Sequence, residues 1–273
     1  TDGVCARVAA PLGMAYAAAA RLNYARGEPW RAAVPVICIG NLVMGGAGKT
    51  PVAAALGAAL ERRGVAAHFL SRGYGGGAAG PVRVERSRHE VAEIGDEPLL
   101  LAEIAPTWVS RDRVAGARAA VAAGAEAIVM DDGFQNPSLF KDLAFVVVDG
   151  GYGLGNGRVF PAGPLREPWR SGLARADAAI LIGDDEAGIE AELSARVPVV
   201  RARLVPAPGA ERIAGRDVVA FAGIGRPEKF FATLREMGCR LCATRPFADH
   251  HLYRDHEIME LVDAAAEHGA VAV

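Results

Sequence analysis

The segment Gly45-Gly46-Ala47-Gly48-Lys49-Thr50 gathers residue types suited to one task, the handling of a phosphate chain. Glycines let successive main-chain N–H groups turn inward on an anion, and a helix that begins there directs its positive end at the same point. Lysine supplies a mobile cation for the β- and γ-phosphates, and a threonine hydroxyl is a hard oxygen ligand for magnesium. The flanks suit this reading: Val34 to Ile39 is an apolar run of strand length, and Pro51 to Arg63 reads as a helix that stops before Gly64. Strand, glycine turn and helix in that order separate a phosphate loop from an ordinary glycine-rich turn. Val43 stands where the strict pattern has its first glycine. Met44, Gly45, Gly46, Ala47, Gly48, Lys49 and Thr50 are therefore expected to bind nucleotide, with ATP and Mg2+ as cofactors and phosphoryl transfer as the chemistry.

Such a loop calls for a second magnesium anchor at a strand end. Ala127 to Met130 is apolar and runs straight into Asp131-Asp132; neighbours on an extended chain face opposite ways, so either acid is a candidate. Gly95-Asp96-Glu97-Pro98 opens an apolar segment. Acids at a helix start serve as caps, yet beside a nucleotide they also offer a proton acceptor and a further metal contact. Asp249-His250-His251 could supply a base with its orienting group, although histidine pairs also serve as packing residues. Arg72 and Tyr74, after the apolar run Ala66 to Leu70, form a cationic, aromatic lip suited to a sugar or phosphate, and Arg166 and Arg170 could hold an anionic substrate.

These residues need a scaffold, and the chain alternates accordingly. Helical segments at Gly95 to Ala105 and Arg113 to Ala123 separate apolar runs that continue through Ala125 to Met130, Leu143 to Val148 and Ala178 to Ile182. Buried strands between helices signal an α/β fold, a P-loop, doubly wound, mainly parallel sheet. Asp149 to Trp169 is rich in Gly and Pro and reads as a long functional loop. Beyond the linker-like Pro206-Ala-Pro208-Gly209, strands at Val218 to Phe221 and Arg240 to Thr244 alternate with helices at Glu228 to Met237 and Asp255 to His268. The expectation is a nucleotide-binding domain over residues 1–205 with an N-terminal helix, and a second, smaller α/β domain over 206–273.

At 273 residues and 51% hydrophobic, the chain has ample material for two cores, and a formal net charge of −2 with scattered Lys and Arg argues against a nucleic-acid partner. No stretch approaches the ~20 apolar residues of a membrane-spanning helix, and the opening residues lack the pattern of a secretory signal, so a soluble or peripheral protein is expected. Residues 11 to 26 read as a helix with Pro11 in its first turn, Leu12, Tyr16, Ala19 and Leu22 near one stripe, and Arg7, Arg21 and Arg26 as charges. That helix could lie on an anionic membrane surface; its alanine-rich face favours packing against its own domain. Cys5 and Cys38 stand apart. Cys239 and Cys242 have the spacing of half a zinc site, but no second pair accompanies them, which favours free thiols.

In order along nearly the whole chain, the segments 40–51, 70–75, 95–98, 131–135, 155–157, 161–167, 222–225 and 247–253 resemble the tetraacyldisaccharide 4′-kinase family. The resemblance implies ATP-dependent transfer to the 4′-hydroxyl of an acylated glucosamine disaccharide 1-phosphate, giving lipid IVA in lipid A synthesis. It implies a peripheral enzyme on the cytoplasmic face of the bacterial inner membrane, and it turns the first helix toward membrane contact. Asp96 resembles the family's catalytic base, with His250 as its partner and His251 as a rival. Lys49 and Thr50 would meet ATP and magnesium, together with Glu97 and Asp131 or Asp132; Arg72, Tyr74 and Arg166 would face the lipid head group. The chain departs from the family at Asn136, often histidine, and at Gly76, commonly arginine. It ends at Val273, ahead of a Thr-x-Lys-Asp element, so a truncated second domain is expected. Two rival readings share the phosphate loop: a switch or assembly ATPase, against which Met44 counts because such loops often carry lysine there, and a kinase of another small molecule.

Overall fold

The structure, a computed structural model, describes residues 3–25 and 27–273, apart from the side chains of residues 4, 5 and 23. In chain order it forms α1 (Val4–Ala25), β1 (Val36–Gly40), α2 (Lys49–Glu61), β2 (Ala67–Ser71), β3 (Val82–Arg83), α3 (Val91–Ile94), α4 (Asp96–Leu101), β4 (Thr107–Val109), α5 (Arg113–Ala122) and β5 (Ala127–Asp131). There follow β6 (Leu143–Asp149), α6 (Trp169–Leu173), β7 (Ala178–Ile182), α7 (Glu190–Ser194), β8 (Val199–Ala202), β9 (Asp217–Ala222), α8 (Pro227–Glu236), β10 (Arg240–Pro246), α9 (Asp255–Glu267) and β11 (Val271–Ala272). The chain divides into two compact units, Thr1–Leu204 and Val205–Val273.

In the first unit the apolar runs become one eight-stranded sheet, ordered β3-β4-β2-β5-β1-β6-β7-β8 and parallel except where β3 meets β4. Every residue of β1, β2 and β5 is buried, as parallel strands covered on both faces must be. From β1 the chain crosses through α2 to β2 on one side, and later resumes at β6 on the other. The winding therefore reverses at β1, which is where doubly wound sheets open a crevice beyond their strand ends. In register, Ile39 pairs with Asp131, so the exit of β1 and the carboxylate ending β5 lie side by side.

Several elements differ from their sequence expectations. α1 begins at Val4, so Pro11 lies inside the helix and removes one main-chain donor there; Arg26 lies outside the described residues. Its small residues Gly13 and Ala17 are buried, whereas Val8, Leu12, Tyr16 and Leu22 are 74%, 64%, 41% and 49% exposed, so the stripe of larger side chains faces outward. The helix expected over Gly95 to Ala105 ends at Leu101, because Pro106 disfavours helical backbone at the residue before it and 102–105 tighten into turns. β3, β4, β8 and β11 and the helices α3, α6 and α7 are too short for a hydrophobic period to show.

The second unit is a three-stranded parallel sheet, ordered β10-β9-β11. Val218, Ala220, Phe231 and Leu234 pack on one side of β9 and Val219, Leu261 and Ala265 on the other, the alternation expected of a strand between two helices. Cys38 and Cys239 are buried free thiols and Cys242 is half-buried; the Cys239 thiol donates to the Ile213 carbonyl at 3.1 Å.

Candidate active site

Residues 41–48 leave β1 and turn into α2 through two left-handed glycines, Gly45 (φ 97°) and Gly48 (φ 88°), a conformation that a side chain at either position would strain. Asn41, fully buried, steadies the turn by donating Nδ2–H to the Gly45 carbonyl at 3.2 Å. The long Gly/Pro segment braces it from outside: Met44 N–H donates to Pro164 O at 2.7 Å and Arg166 N–H to Leu42 O at 2.8 Å. Met44 therefore has its amide committed to Pro164. The hydrogen bonds of the described residues leave the amides of Gly45, Gly46, Ala47 and Gly48 without a protein acceptor. Four successive uncommitted amides are the kind of donor set that an anion requires.

Lys49 and Thr50 open α2, which carries them to the ends of the neighbouring strands. The Thr50 Oγ1 lies 3.0 Å from Asp131 Oδ2 and 3.2 Å from Glu97 Oε1. One hydroxyl proton serves only one of these two carboxylates, so the cluster holds more negative charge than its donors satisfy. Asp131 is 1% exposed, and its Oδ1 is buried with no hydrogen-bond partner. Burial, and then the charge of Glu97, push the Asp131 carboxyl up to about 7; burial likewise raises Glu97, with Asp96 adding to the push against the pull of Lys49. An orphaned buried oxygen and two raised carboxylates beside a hydroxyl are a donor set short of a hard cation. Among the described residues no three His, Cys, Asp or Glu side chains cluster for a metal, but magnesium commonly takes one or two carboxylates and completes its shell with phosphate and water.

Asp132 has a different environment. Its backbone is left-handed (φ 51°), a break from the extended strand that ends at Asp131. Arg166 forks onto it, Nη1 to Oδ1 at 2.8 Å and Nη2 to Oδ2 at 3.2 Å, and Lys49 Nζ stands 3.9 Å from Oδ1. Burial opposes ionisation of Asp132, but Lys49 and Arg166 more than offset it and hold the carboxyl below its usual range. Arg113, 3% exposed, donates to the carbonyls of Ser110 (2.7 Å) and Asp132 (3.4 Å) and so fixes this corner.

Asp96 begins α4, and its Oδ1 accepts the N–H of Glu97 at 3.0 Å. It stands one residue from the Glu97–Thr50 contact. Arg72 and Tyr74 are exposed, Tyr74 at 65%. Arg170 lies over its own neighbour, 4.6 Å from the Trp169 ring. Gly76 cannot accept the family's arginine in this backbone: a Cβ there would stand 2.6 Å from Glu93 O and 2.7 Å from Gly95 N. Asn136 has a turn to hold, its Oδ1 accepting from Ser138 N (3.1 Å) and Oγ (2.9 Å).

In the second unit the two histidines differ. His251 stacks on Phe247, ring centroids 4.7 Å apart, and its Nε2 lies 2.9 Å from Glu257 Oε2, which makes it a packing residue with a fixed ring. His250 has a left-handed backbone (φ 57°) and donates its N–H to Gly223 O at 2.9 Å. Sequence reasoning overlooked Asn41, Gln135, Glu167 and Arg113 as site residues. Gln135 and Glu167 fall inside segments that resemble the family, and that proximity was the available signal.

A glycine turn between strand and helix, a lysine and threonine at the helix start and acids at the adjoining strand end define a P-loop phosphotransferase. The family model for tetraacyldisaccharide-1-P 4′-kinase matches residues 5–273. Tetraacyldisaccharide 4′-kinase of Rhodospirillum rubrum is 58% identical over 276 residues, covering 100% of this chain and 83% of the relative; that of Paramagnetospirillum magneticum is 56% identical over 274 residues, covering 100% and 84%. The crystal structure of LpxK from Aquifex aeolicus in complex with ATP superposes with a TM-score of 0.74 at 28% identity, over 92% of this chain and 84% of that one. The chain belongs to the tetraacyldisaccharide 4′-kinase family.

Proposed function

We propose that the chain transfers the γ-phosphoryl group of ATP to the 4′-hydroxyl of a tetraacylated glucosamine disaccharide 1-phosphate, giving lipid IVA, at the cytoplasmic face of the inner membrane. The observation that carries this reading is the Thr50 hydroxyl poised between Asp131 and Glu97, one residue from Lys49. Family membership and a structural neighbour solved with ATP support the nucleotide. Thr50, Asp131 and Glu97 would hold magnesium, which when bound offsets charge on the phosphates.

The loop amides and Lys49 bind the β- and γ-phosphates and neutralise the charge that develops on the transferring group. Asp96 takes the proton of the acceptor hydroxyl while its oxygen attacks the γ-phosphorus in line; the bond to the bridging oxygen breaks and ADP leaves. Of the two histidines in the second unit, His251 is engaged with Phe247 and Glu257, which favours His250 for the role that the family likeness gives to this segment. Arg72 and Tyr74 offer the head group an exposed cationic and aromatic lip, and Arg166 adds a guanidinium shared with Asp132.

For the membrane, the support is α1. Val8, Leu12 and Tyr16 recur at four-residue spacing and are exposed; Tyr16 meets Phe160 edge-on, ring centroids 5.9 Å apart, and the stripe otherwise presents apolar surface outward. Among the described residues no helix is long and apolar enough to cross a membrane. The deciding experiment supplies γ-labelled ATP and tetraacyldisaccharide 1-phosphate in detergent. Label should appear on the lipid with one ADP per transfer; ADP release without labelled lipid would overturn the reading in favour of an assembly ATPase.

A further inference from the structure

One buried ion pair of the first unit has no part in the steps above. Glu167, 5% exposed, accepts both arms of the Arg175 guanidinium, Oε2 from Nη1 and Oε1 from Nη2, each at 2.8 Å. Arg175 is gripped in turn, its guanidinium 4.2 Å from the Tyr24 ring centroid in the last turn of α1 and 4.9 Å from that of Phe134. The link from this pair to the phosphate loop is Gln135. Its Nε2 donates to Glu167 Oε1 at 3.2 Å and to the Asn41 carbonyl, at the entry of the loop, at 2.9 Å. Two acceptors on one side decide which end of the amide is nitrogen, and its oxygen therefore faces Arg166 Nη1 at 3.4 Å. Arg166 in turn forks onto Asp132, the acid nearest Lys49.

We propose that Arg175 is a positioning residue for phosphoryl transfer. By holding Glu167 in place as an acceptor it orients the Gln135 amide, and through Gln135 it holds the loop entry and keeps Arg166 on Asp132. With Arg166 satisfying Asp132, Lys49 stays available to phosphate. Without Arg175, the buried Glu167 would lose its cationic partner, free Gln135 to turn and draw Arg166 away from Asp132. That change lets Asp132 turn on Lys49. The network also ties the last turn of α1 to the nucleotide site, since Tyr24 is one of the two rings that hold Arg175.

This inference rests on the kinase reading, and wild-type turnover in the same assay decides that reading separately. Arg175→Met should lower kcat at least tenfold and also lower Tm, because it strands a buried carboxylate. The double variant Glu167→Leu with Arg175→Met removes both charges: Tm should recover, while kcat stays at least tenfold down because nothing orients Gln135. A double variant whose kcat recovers along with its Tm would make the pair a packing device and overturn the proposal. Gln135→Met leaves the ion pair intact and should reproduce the loss of kcat at unchanged Tm. A folded Gln135→Met enzyme of normal kcat would overturn the relay even where the charge variants do not fold.

Discussion

Replacing Asp131 by asparagine should make the nucleotide-free protein more stable while abolishing its response to magnesium and ATP. The Asp131 carboxyl is raised from 3.8 to about 7, by burial first and by Glu97 second. A shift of about 3 units corresponds to about 4 kcal/mol that the fold forfeits when this group is ionised. The sign follows from proton binding. Between 3.8 and 7 the folded chain holds a proton that the unfolded chain has released, so wild-type stability falls as pH rises through that window and the whole cost is present above it. At pH 5 only about a third of it has accrued, again by linkage.

Asparagine keeps an oxygen for Thr50 and cannot ionise, but burying its amide takes back ~1–3 kcal/mol. The net gain at pH 8 is then ~1–3 kcal/mol, and in a unit of this size each kcal/mol moves Tm by roughly 2–4 °C. Calorimetry without magnesium or nucleotide should show Asp131→Asn melting several degrees above wild type at pH 8, the gap closing or reversing at pH 5. In a second arm, magnesium and ATP at about 100 times Kd should stabilise wild type by about 2.7 kcal/mol and the variant hardly at all. A variant that melts at or below wild type at pH 8, or a gap that does not shrink toward pH 5, would refute the account of Asp131 as an unsatisfied buried anion.

Three further outcomes follow from the same geometry. Asp96→Ala should lower kcat by about 10²–10⁴-fold, the range of general base catalysis, with ATP affinity within about threefold of wild type; equal losses of affinity and rate, read by equilibrium binding and single-turnover kinetics, would contradict the base assignment. His250→Ala should cost more kcat than His251→Ala, whereas His251→Ala should cost more Tm because it removes the Phe247 stack and the Glu257 contact; the reverse kinetic order would transfer the role to His251. Val8→Glu with Leu12→Glu should reduce co-sedimentation with anionic vesicles severalfold and leave Tm nearly unchanged, since both side chains are exposed; unaltered sedimentation would remove α1 from the membrane contact.

Much of the scaffold was legible because its strands are continuous apolar runs with clear stops. Ala178–Ile182 is bounded by Asp177 and Gly183, and the structure ends β7 at the same residues as the sequence reading. Strands such as Val82–Arg83 and Thr107–Val109 are two or three residues long and owe their conformation to pairing partners far along the chain, which no local pattern records. The phosphate loop was legible for the opposite reason, since its chemistry demands particular residues at fixed spacing. What surrounds it was not. The contacts of Thr50 with Glu97 and Asp131 span 47 and 81 residues, and Gln135 reaches Asn41 across 94. The outward stripe of α1 could not be read from the residues alone, because larger apolar side chains ordinarily pack inward; here Gly13 and Ala17 are the buried ones, and the larger side chains are left outside.

The two adjacent acids show how far such contacts decide chemistry. Asp131 and Asp132 are identical in sequence terms, and a strand that simply continued would have pointed them to opposite faces. Instead β5 stops at Asp131 and the backbone of Asp132 turns left-handed, a conformation that aspartate tolerates better than most residues. One carboxylate is thereby sealed beside Glu97 and Thr50 and raised, and the other is delivered to Arg166 and Lys49 and lowered. Environments that drive two like groups apart assign them different tasks. The raised acid shares the Thr50 hydroxyl with Glu97, and the lowered one is an anion paired with Arg166 beside Lys49. Exchanging these tasks would require Arg166 to cross the strand end, and the Gln135 amide beside it is already fixed by Asn41 and Glu167.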